Sequence, residues 1–431
     1  MRILLLTIGT RGDVQPFVAL GQRLKQNGHD VALCTSSSFS SWVEQHGLEY
    51  RYLNNEFVEL AQGEAGRKAM EEWGGLKGRL RWMAEATRLF KPIFRKTLKE
   101  EWEVAQDAEM IIYNPQSVGG FHMAEALGVP GIMADALPTW VPTGAFPNFT
   151  FPDLGLGNSY NRLTYRLLPL MTGGMFGSIV KEWRRETLKL PPRSMIKGDL
   201  VRSDGRPVPV LYSFSRHILP PPTDWSEQVN ITGYWVLNES PNWQPPPDLL
   251  KSLDAGPPPV FIGFGSMSGR DPARTTRLVL EALAKTGQRG LLVTGWGGLE
   301  AEKLPEDVFK IENAPYDWLF PHMAAVVHHG GAGTTAAGLQ AGKPTVICPF
   351  VADQPFWGQR VAALGAGPPP IPQRKLTTDN LASAIQQAAT DTGMQQRAAA
   401  LGEKIRAEDG TGQAVSLIEK YAAEASVQGR Y

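Results

Sequence analysis

The segment from Ala325 to Phe356 constrains the fold more than any other part of the chain. Ala325 to His328 is short, apolar and β-branched, the pattern of a strand buried on both faces of a parallel sheet. Gly330, Gly331, Ala332 and Gly333 follow with almost no side chain. From Thr334 the chain is Ala-rich and helical, and Gly342 and Pro344 stop that helix. Thr345 to Cys348 is a second buried strand. The segment is one βαβ unit whose Gly-rich turn opens onto a helix N-terminus. Unpaired N–H groups and the helix dipole suit such a turn to an anion. His329, Thr334 and Thr335 carry further donors. Asp353 and Gln354 stand just past the next strand, at the carboxyl edge where α/β sheets bind ligands. A phosphate cradle beside an acceptor–donor pair suits a sugar nucleotide. A tight turn with a merely packed histidine is the other reading.

The N-terminal half opens in the same way. Arg2 to Thr7 reads as a strand, Ile8 to Asp13 as a loop, and Pro16 sits in the first turn of a helix. Gly9 and Gly12 do not complete G-x-G-x-x-G, so a dinucleotide cofactor is not indicated. Asp13 has two readings: a helix cap, or a general base facing a ligand. Further strands are expected at Val31–Cys34, Ile111–Tyr113 and Gly131–Met133, with a helix from Phe121 to Leu127. Between Leu137 and Phe151 the periodicity breaks into an aromatic loop. Trp140, Phe146 and Phe149 there either line an apolar acceptor pocket or cover the core.

Residues 67–99 differ in character. Ten Arg and Lys stand against three Glu, with apolar residues at helical spacing. This is either a solvated basic helix face or a contact with an anionic membrane surface. Zero net charge over the 431 residues supplies no basic surplus for nucleic acid. Cys34 and Cys348 each fall inside a buried strand, so a reducing, cytoplasmic setting is expected, peripheral on a membrane at most. Neither a signal peptide nor an apolar run long enough to span a bilayer is expected. Pro-rich stretches around 220 and 245–259 read as stiff connectors. The expected division is an N-terminal domain 1–235, a linker 236–258 and a C-terminal domain 259–431. The last helix of the C-terminal domain is expected to pack back on the first domain. Val260–Phe264 restarts the strand–glycine loop–helix pattern, with Ser266 placed to donate to a phosphate.

Taken together, these segments resemble the sterol glucosyltransferases and the related antibiotic-aglycone glycosyltransferases. GTRGDVQPF, LPTWVPTGAFP, YNRLTYRLL, EWRRETLKLPP, LYSFS, ITGYW, FIGFGSM, GWGGL, DWLFP, VVHHGGAGTT and PFVADQPFW carry the resemblance over nearly the whole chain. Tyr316 and Asn148 stand where the sterol branch often has His. The resemblance implies an α/β chain of the GT-B fold, two Rossmann-like domains with parallel sheets facing across a cleft. It implies Asp13 as general base, and Gly12, Ser266, His329, Gly331, Gly333 and Thr334 in donor binding, the last five around the pyrophosphate. Asp353 and Gln354 would hold the sugar hydroxyls and Trp318 would lie near the base. The expected reaction moves glucose from UDP-glucose to a sterol or similar apolar alcohol with inversion. No cofactor and no obligatory metal are expected, since no D-x-D spacing occurs. The competing readings are a glycosyltransferase for a polyketide or peptide antibiotic, one that uses a TDP-sugar, and a non-enzymatic lipid- or nucleotide-sensing relative.

Overall fold

The computed structural model describes residues 1–63, 76–193, 199–239, 243–265, 271–293 and 304–427. Side chains at 57, 61–62, 76–88, 171–172, 174–175 and 427 lie outside that description. The chain forms two compact units. The first is Met1–Phe214, Pro221–Leu237 and Asp409–Tyr431; the second is Ser215–Pro220 and Asn238–Glu408.

The first unit holds a seven-stranded sheet in the order β3-β2-β1-β4-β5-β6-β7. Its strands are β1 (Arg2–Leu6), β2 (Asp30–Ser36), β3 (Glu49–Leu53), β4 (Met110–Tyr113), β5 (Gly131–Asp135), β6 (Val210–Tyr212) and β7 (Val229–Ile231). Every pairing is parallel. Ile3 to Leu6 and Met110 to Tyr113 are almost fully buried, as continuous apolar runs require when helices cover both faces. The chain leaves β1 toward β2 on one side and leaves β4 toward β5 on the other. The strand order therefore reverses between β1 and β4, and the loops at their carboxyl ends part there to leave a crevice.

The second unit repeats the scheme with five strands in the order β10-β9-β8-β11-β12. They are β8 (Val260–Gly263), β9 (Gly290–Val293), β10 (Val308–Ile311), β11 (Ala325–His328) and β12 (Thr345–Ile347). All pair in parallel, and the reversal falls between β8 and β11. The stretch 236–258 is not extended throughout. Pro247 opens a helix, Pro247–Asp254, whose Leu249 is fully buried in this unit's core. Proline suits that first helical position because its missing N–H has no partner to lose there.

A long helix packs beside β3 in the first unit. Leu76–Val104 contains Pro92 and buries Leu98 and Glu101 while Leu89 stays exposed. Of the basic segment expected at 67–99, residues 67–75 and the side chains of 76–88 lie outside the described residues. Among the described residues no helix is long and apolar enough to cross a membrane. The last helix, Gly410–Val427, belongs to the first unit. Its Ala414, Val415, Ile418 and Tyr421 join Val14, Val18, Leu33 and Trp235 in one core. Gly410 is needed at its start, since a Cβ there would meet the Tyr234 carbonyl at 2.2 Å.

Ile418 is fully buried. Ile418→Ala should therefore cost about 2–5 kcal/mol of stability, lost transfer energy plus the cavity left behind. Urea unfolding followed by circular dichroism checks it, and a change below about 0.5 kcal/mol would mean the helix is not part of that core.

Candidate functional site

In the first unit Asp13 lies in the opening turn of helix Arg11–Gln26, directly beyond β1. Its Oδ2 accepts from the backbone N–H of Thr10 at 2.7 Å and from the Thr10 hydroxyl at 3.0 Å. Both bonds end on the same oxygen, so Asp13 caps the helix without committing Oδ1 to that cap. Gly9 makes the arrangement possible. Its φ is +145°, and a Cβ there would sit 2.3 Å from Oδ2. Burial pushes the Asp13 carboxyl above its ordinary value, and the Thr10 bonds hold the rise back. Gly12, one residue before, is exposed.

The aromatic loop after β5 is held in place by polar side chains. Asn148 is fully buried. It donates to the Thr139 carbonyl at 2.7 Å and accepts from the Thr150 N–H and hydroxyl at 3.0 and 2.7 Å. Asp224 accepts from the Thr143 hydroxyl, the Gly144 N–H and Arg162 at 2.7 to 2.9 Å. Burial works to raise Asp224, but these three donors bring it down to about 2. Trp140, Phe146 and Phe149 ride half-buried on this frame. The Asn at 148 is thus a loop organiser, a role no periodicity in the sequence announces.

In the second unit the Gly-rich turn follows β11. Gly330 takes φ +95°, and Gly331 is the N-cap of helix Ala332–Gln340. His329 is packed against both flanks. A Cβ at Gly331 would meet its Nε2 at 2.6 Å, and a Cβ at Gly265 would meet its Cε1 at 3.3 Å. Burial pushes His329 down to about 4, so the ring is neutral at physiological pH. Its Nδ1 is buried without a hydrogen-bond partner. Gly333 is exposed, with open space where a Cβ would stand, and Thr334 is half-buried beside it. Thr335 turns inward, its hydroxyl donating to the Gly331 carbonyl at 2.9 Å. Ser266 lies outside the described residues.

His328 was not singled out by the sequence, yet it shapes this turn. It is fully buried at the end of β11, and its Nδ1 accepts from the Gly330 N–H at 2.9 Å. That bond fixes the tautomer with the proton on Nε2. Gln354 meets the turn from the other side: a Cβ at Gly330 would stand 3.2 Å from its backbone oxygen. The Gln354 side-chain carbonyl accepts from the N–H groups of Phe350 and Val351 at 2.7 and 3.2 Å. Asp353 is the N-cap of helix Gln354–Ala363, and its Oδ2 accepts from the Trp357 indole at 2.9 Å. Ala352 reaches this cap only in the left-handed region, at φ +60°. His329, Gly331, Gln354 and Asp353 are therefore grouped around one turn. Trp318 stands in an aromatic group with Trp243 and His322, ring centroids 5.1 and 4.5 Å away. No cluster of three metal-ligating side chains occurs among the described residues.

Residues 3–146 match the glycosyltransferase family 28 N-terminal domain. Residues 294–418 match the erythromycin biosynthesis protein CIII-like C-terminal domain. Sterol 3-beta-glucosyltransferase UGT80B1 of Arabidopsis thaliana is 38% identical over 98% of this chain and 68% of its own length. The chain belongs to the sterol 3-beta-glucosyltransferase family. The family member of Yarrowia lipolytica is also 38% identical over 97% of this chain, but the match covers 28% of that protein. The chain thus spans about two thirds of one curated relative and under a third of another. Solved structures share the fold at lower identity. A glycotransferase of kitacinnamycin has a TM-score of 0.74 at 19% identity, covering 98% of this chain and 99% of its own. The glycosyltransferase VinC, in complex with DTDP, has a TM-score of 0.67 at 16% identity, covering 98% and 100%. The fold of this family member is GT-B.

Two measurements test the turn of this sterol-glucosyltransferase relative. His328→Phe leaves the Gly330 N–H without its acceptor and should cost about 1–3 kcal/mol. His328→Asn keeps an acceptor near the Nδ1 position and should cost less in thermal unfolding. Equal losses would show the bond to be unimportant. His329 is held below its ordinary 6.5 at about 4, so the unfolded chain takes up its proton first. Stability should fall as pH drops from 6.5 toward 4, and His329→Gln should flatten part of that loss in denaturant titrations across the range.

Proposed function

We propose that the chain transfers glucose from UDP-glucose to the hydroxyl of a sterol or a similar flat apolar alcohol, giving a β-glucoside. The observation that carries this is the 38% identity to a protein named sterol 3-beta-glucosyltransferase over 98% of the chain. The residues support the same chemistry. Asp13 takes the proton of the acceptor hydroxyl while its oxygen attacks the anomeric carbon. A carboxyl raised by burial is a stronger base than an ordinary surface Asp. The bond from the anomeric carbon to the diphosphate breaks on the opposite face, so an α-linked donor inverts. Gly331, Gly333, Thr334 and His329 receive the departing pyrophosphate through N–H and hydroxyl groups and the positive end of helix Ala332–Gln340. A neutral His329 donates one N–H there. Ser266, three residues past β8 in the sequence, adds a hydroxyl, and Gly12 contributes from the loop beyond β1.

Asp353 and the Gln354 amide hold sugar hydroxyls, and Trp318 lies toward the base. The backbone N–H groups and the helix dipole carry the leaving-group charge without an obligatory metal. Trp140, Phe146 and Phe149 offer the apolar acceptor a wall. The basic helix within 67–99 brings the protein to an anionic membrane surface, where sterols reside. The domain division expected from the sequence, an acceptor domain first and a donor domain second, fits these assignments.

The decisive experiment is an acceptor panel with radiolabelled UDP-glucose and product mass analysis. A sterol glucoside is expected. Product from a polyketide aglycone alone, or from a TDP-sugar alone, would replace the sterol reading. UDP binding with no product from any acceptor would replace the enzyme reading with a sensor. Asp13→Asn should lower kcat by at least about 10²–10⁴-fold while calorimetric UDP affinity is retained. Undiminished turnover would reject Asp13 as the base.

A further inference from the structure

Asn114 is the first residue after β4 and is 3% exposed. β1 and β4 are neighbours, with Leu6 paired to Tyr113, so Thr7 and Asn114 leave the sheet side by side at the strand-order reversal. The Asn114 side chain is fully engaged. Its Nδ2 donates to the Thr7 hydroxyl at 3.0 Å and to the Ile8 carbonyl at 2.9 Å. Its Oδ1 accepts from the Ile8 N–H at 3.3 Å and from the Ser117 N–H at 3.1 Å. The amide has one possible orientation, because a carbonyl only accepts and a backbone N–H only donates. Aspartate would set a second acceptor against the Ile8 carbonyl. Leucine has the shape but would leave both Ile8 groups unpaired, while the Ser117 N–H would keep only the residue 114 backbone carbonyl at 3.0 Å.

Ile8 is the last residue before Gly9 and Thr10, the pair that wraps the Asp13 carboxylate. Thr7 reaches Asp13 directly, its hydroxyl donating to the Asp13 backbone carbonyl at 3.1 Å. Asn114 therefore holds the loop at two points, one touching Asp13 and one a single residue ahead of its cap. The clamp is itself anchored from behind. The Ser117 hydroxyl donates to Glu101 Oε1 at 2.5 Å, and Glu101 is 1% exposed. Its other oxygen fills the space at Gly119, where a Cβ would stand 2.3 Å away. The loop after β4 is thus locked to helix Leu76–Val104 and cannot yield when the loop after β1 pulls on it.

We infer that Asn114 is a positioning residue for Asp13: it ties the base-bearing loop to the adjacent strand end through Thr7 and Ile8 without touching substrate. This rests on the reading of Asp13 as the base. A bound acceptor hydroxyl needs its proton within hydrogen-bond reach of the carboxylate, and a displacement of ~1 Å can cost about 10²-fold in rate. Apart from Gly12, the proposed donor-binding residues belong to the other unit, so donor binding should feel the change little.

The test uses the full chain with UDP-glucose and a sterol acceptor. Asn114→Leu is expected to lower kcat by about 10²-fold, with KM for UDP-glucose unchanged within about twofold. The acid limb of the pH–rate profile should also move to higher pH. The Thr10 bonds that restrain the Asp13 shift would loosen, and the carboxyl would then rise further. Thr7→Val is the second variant, in case Asn114→Leu does not fold. Thr7 is fully buried and valine matches its shape, so kcat should fall in the same direction by about fivefold or more as the hydrogen bonds from Asn114 and to the Asp13 carbonyl are both lost. A wild-type kcat and pH profile in the folded Asn114→Leu, beside an inactive Asp13→Asn, would overturn the positioning role alone. So would a loss confined to KM in either variant. An active Asp13→Asn would instead overturn the base reading on which the inference stands.

Discussion

A strand buried on both faces has no place for a polar side chain until it ends. That constraint organises both units. β1, β4 and β11 are apolar and inaccessible almost to their last residue. The first polar groups then appear together at the carboxyl edge: Thr7 after β1, Asn114 after β4, His328 closing β11. Each is fully or nearly fully buried, and each must find hydrogen bonds at once. They find them in the backbone of the neighbouring loop. Asn114 takes both backbone groups of Ile8, and His328 takes the Gly330 N–H. The loops that leave the sheet are therefore held by the residues that end it.

Both held loops lie at a reversal of strand order, where a parallel sheet opens a crevice. The two units reach this geometry with different materials. The first uses an amide, a hydroxyl and a carboxylate. The second uses an imidazole and closely packed glycines. The difference follows from charge. On the proposed assignments, the loop that presents a base needs a carboxylate raised by burial, and the loop that accepts an anion needs hydrogen-bond donors. His329, neutral and packed between Gly265 and Gly331, fits the second requirement.

Capping and chemistry are often treated as rival explanations for an acidic residue at a helix start. Here the geometry allows both. The cap uses Asp13 Oδ2 alone, and it opposes the rise that burial produces. Asp353 differs: it stands at the N-cap position but makes no capping hydrogen bond with its side chain, which accepts from the Trp357 indole instead. Asn148 makes the complementary point. Buried in the loop after β5, it serves that loop from inside through its bonds to Thr139 and Thr150.

The sequence alone determined the class of structure. Continuous β-branched runs, glycine turns and helix stops dictate parallel α/β units, because these signals act over a few residues and depend on no distant partner. The turn at Gly330 was legible for the same reason. Tertiary structure alone decided which side chains hold those turns. Asn114 and Ile8 are partners 106 positions apart, and the last helix completes the core of the first unit although the second unit precedes it in the chain. Hydrogen bonds and core contacts of that reach leave no periodic trace. They exist only once the sheet has brought the strand ends together.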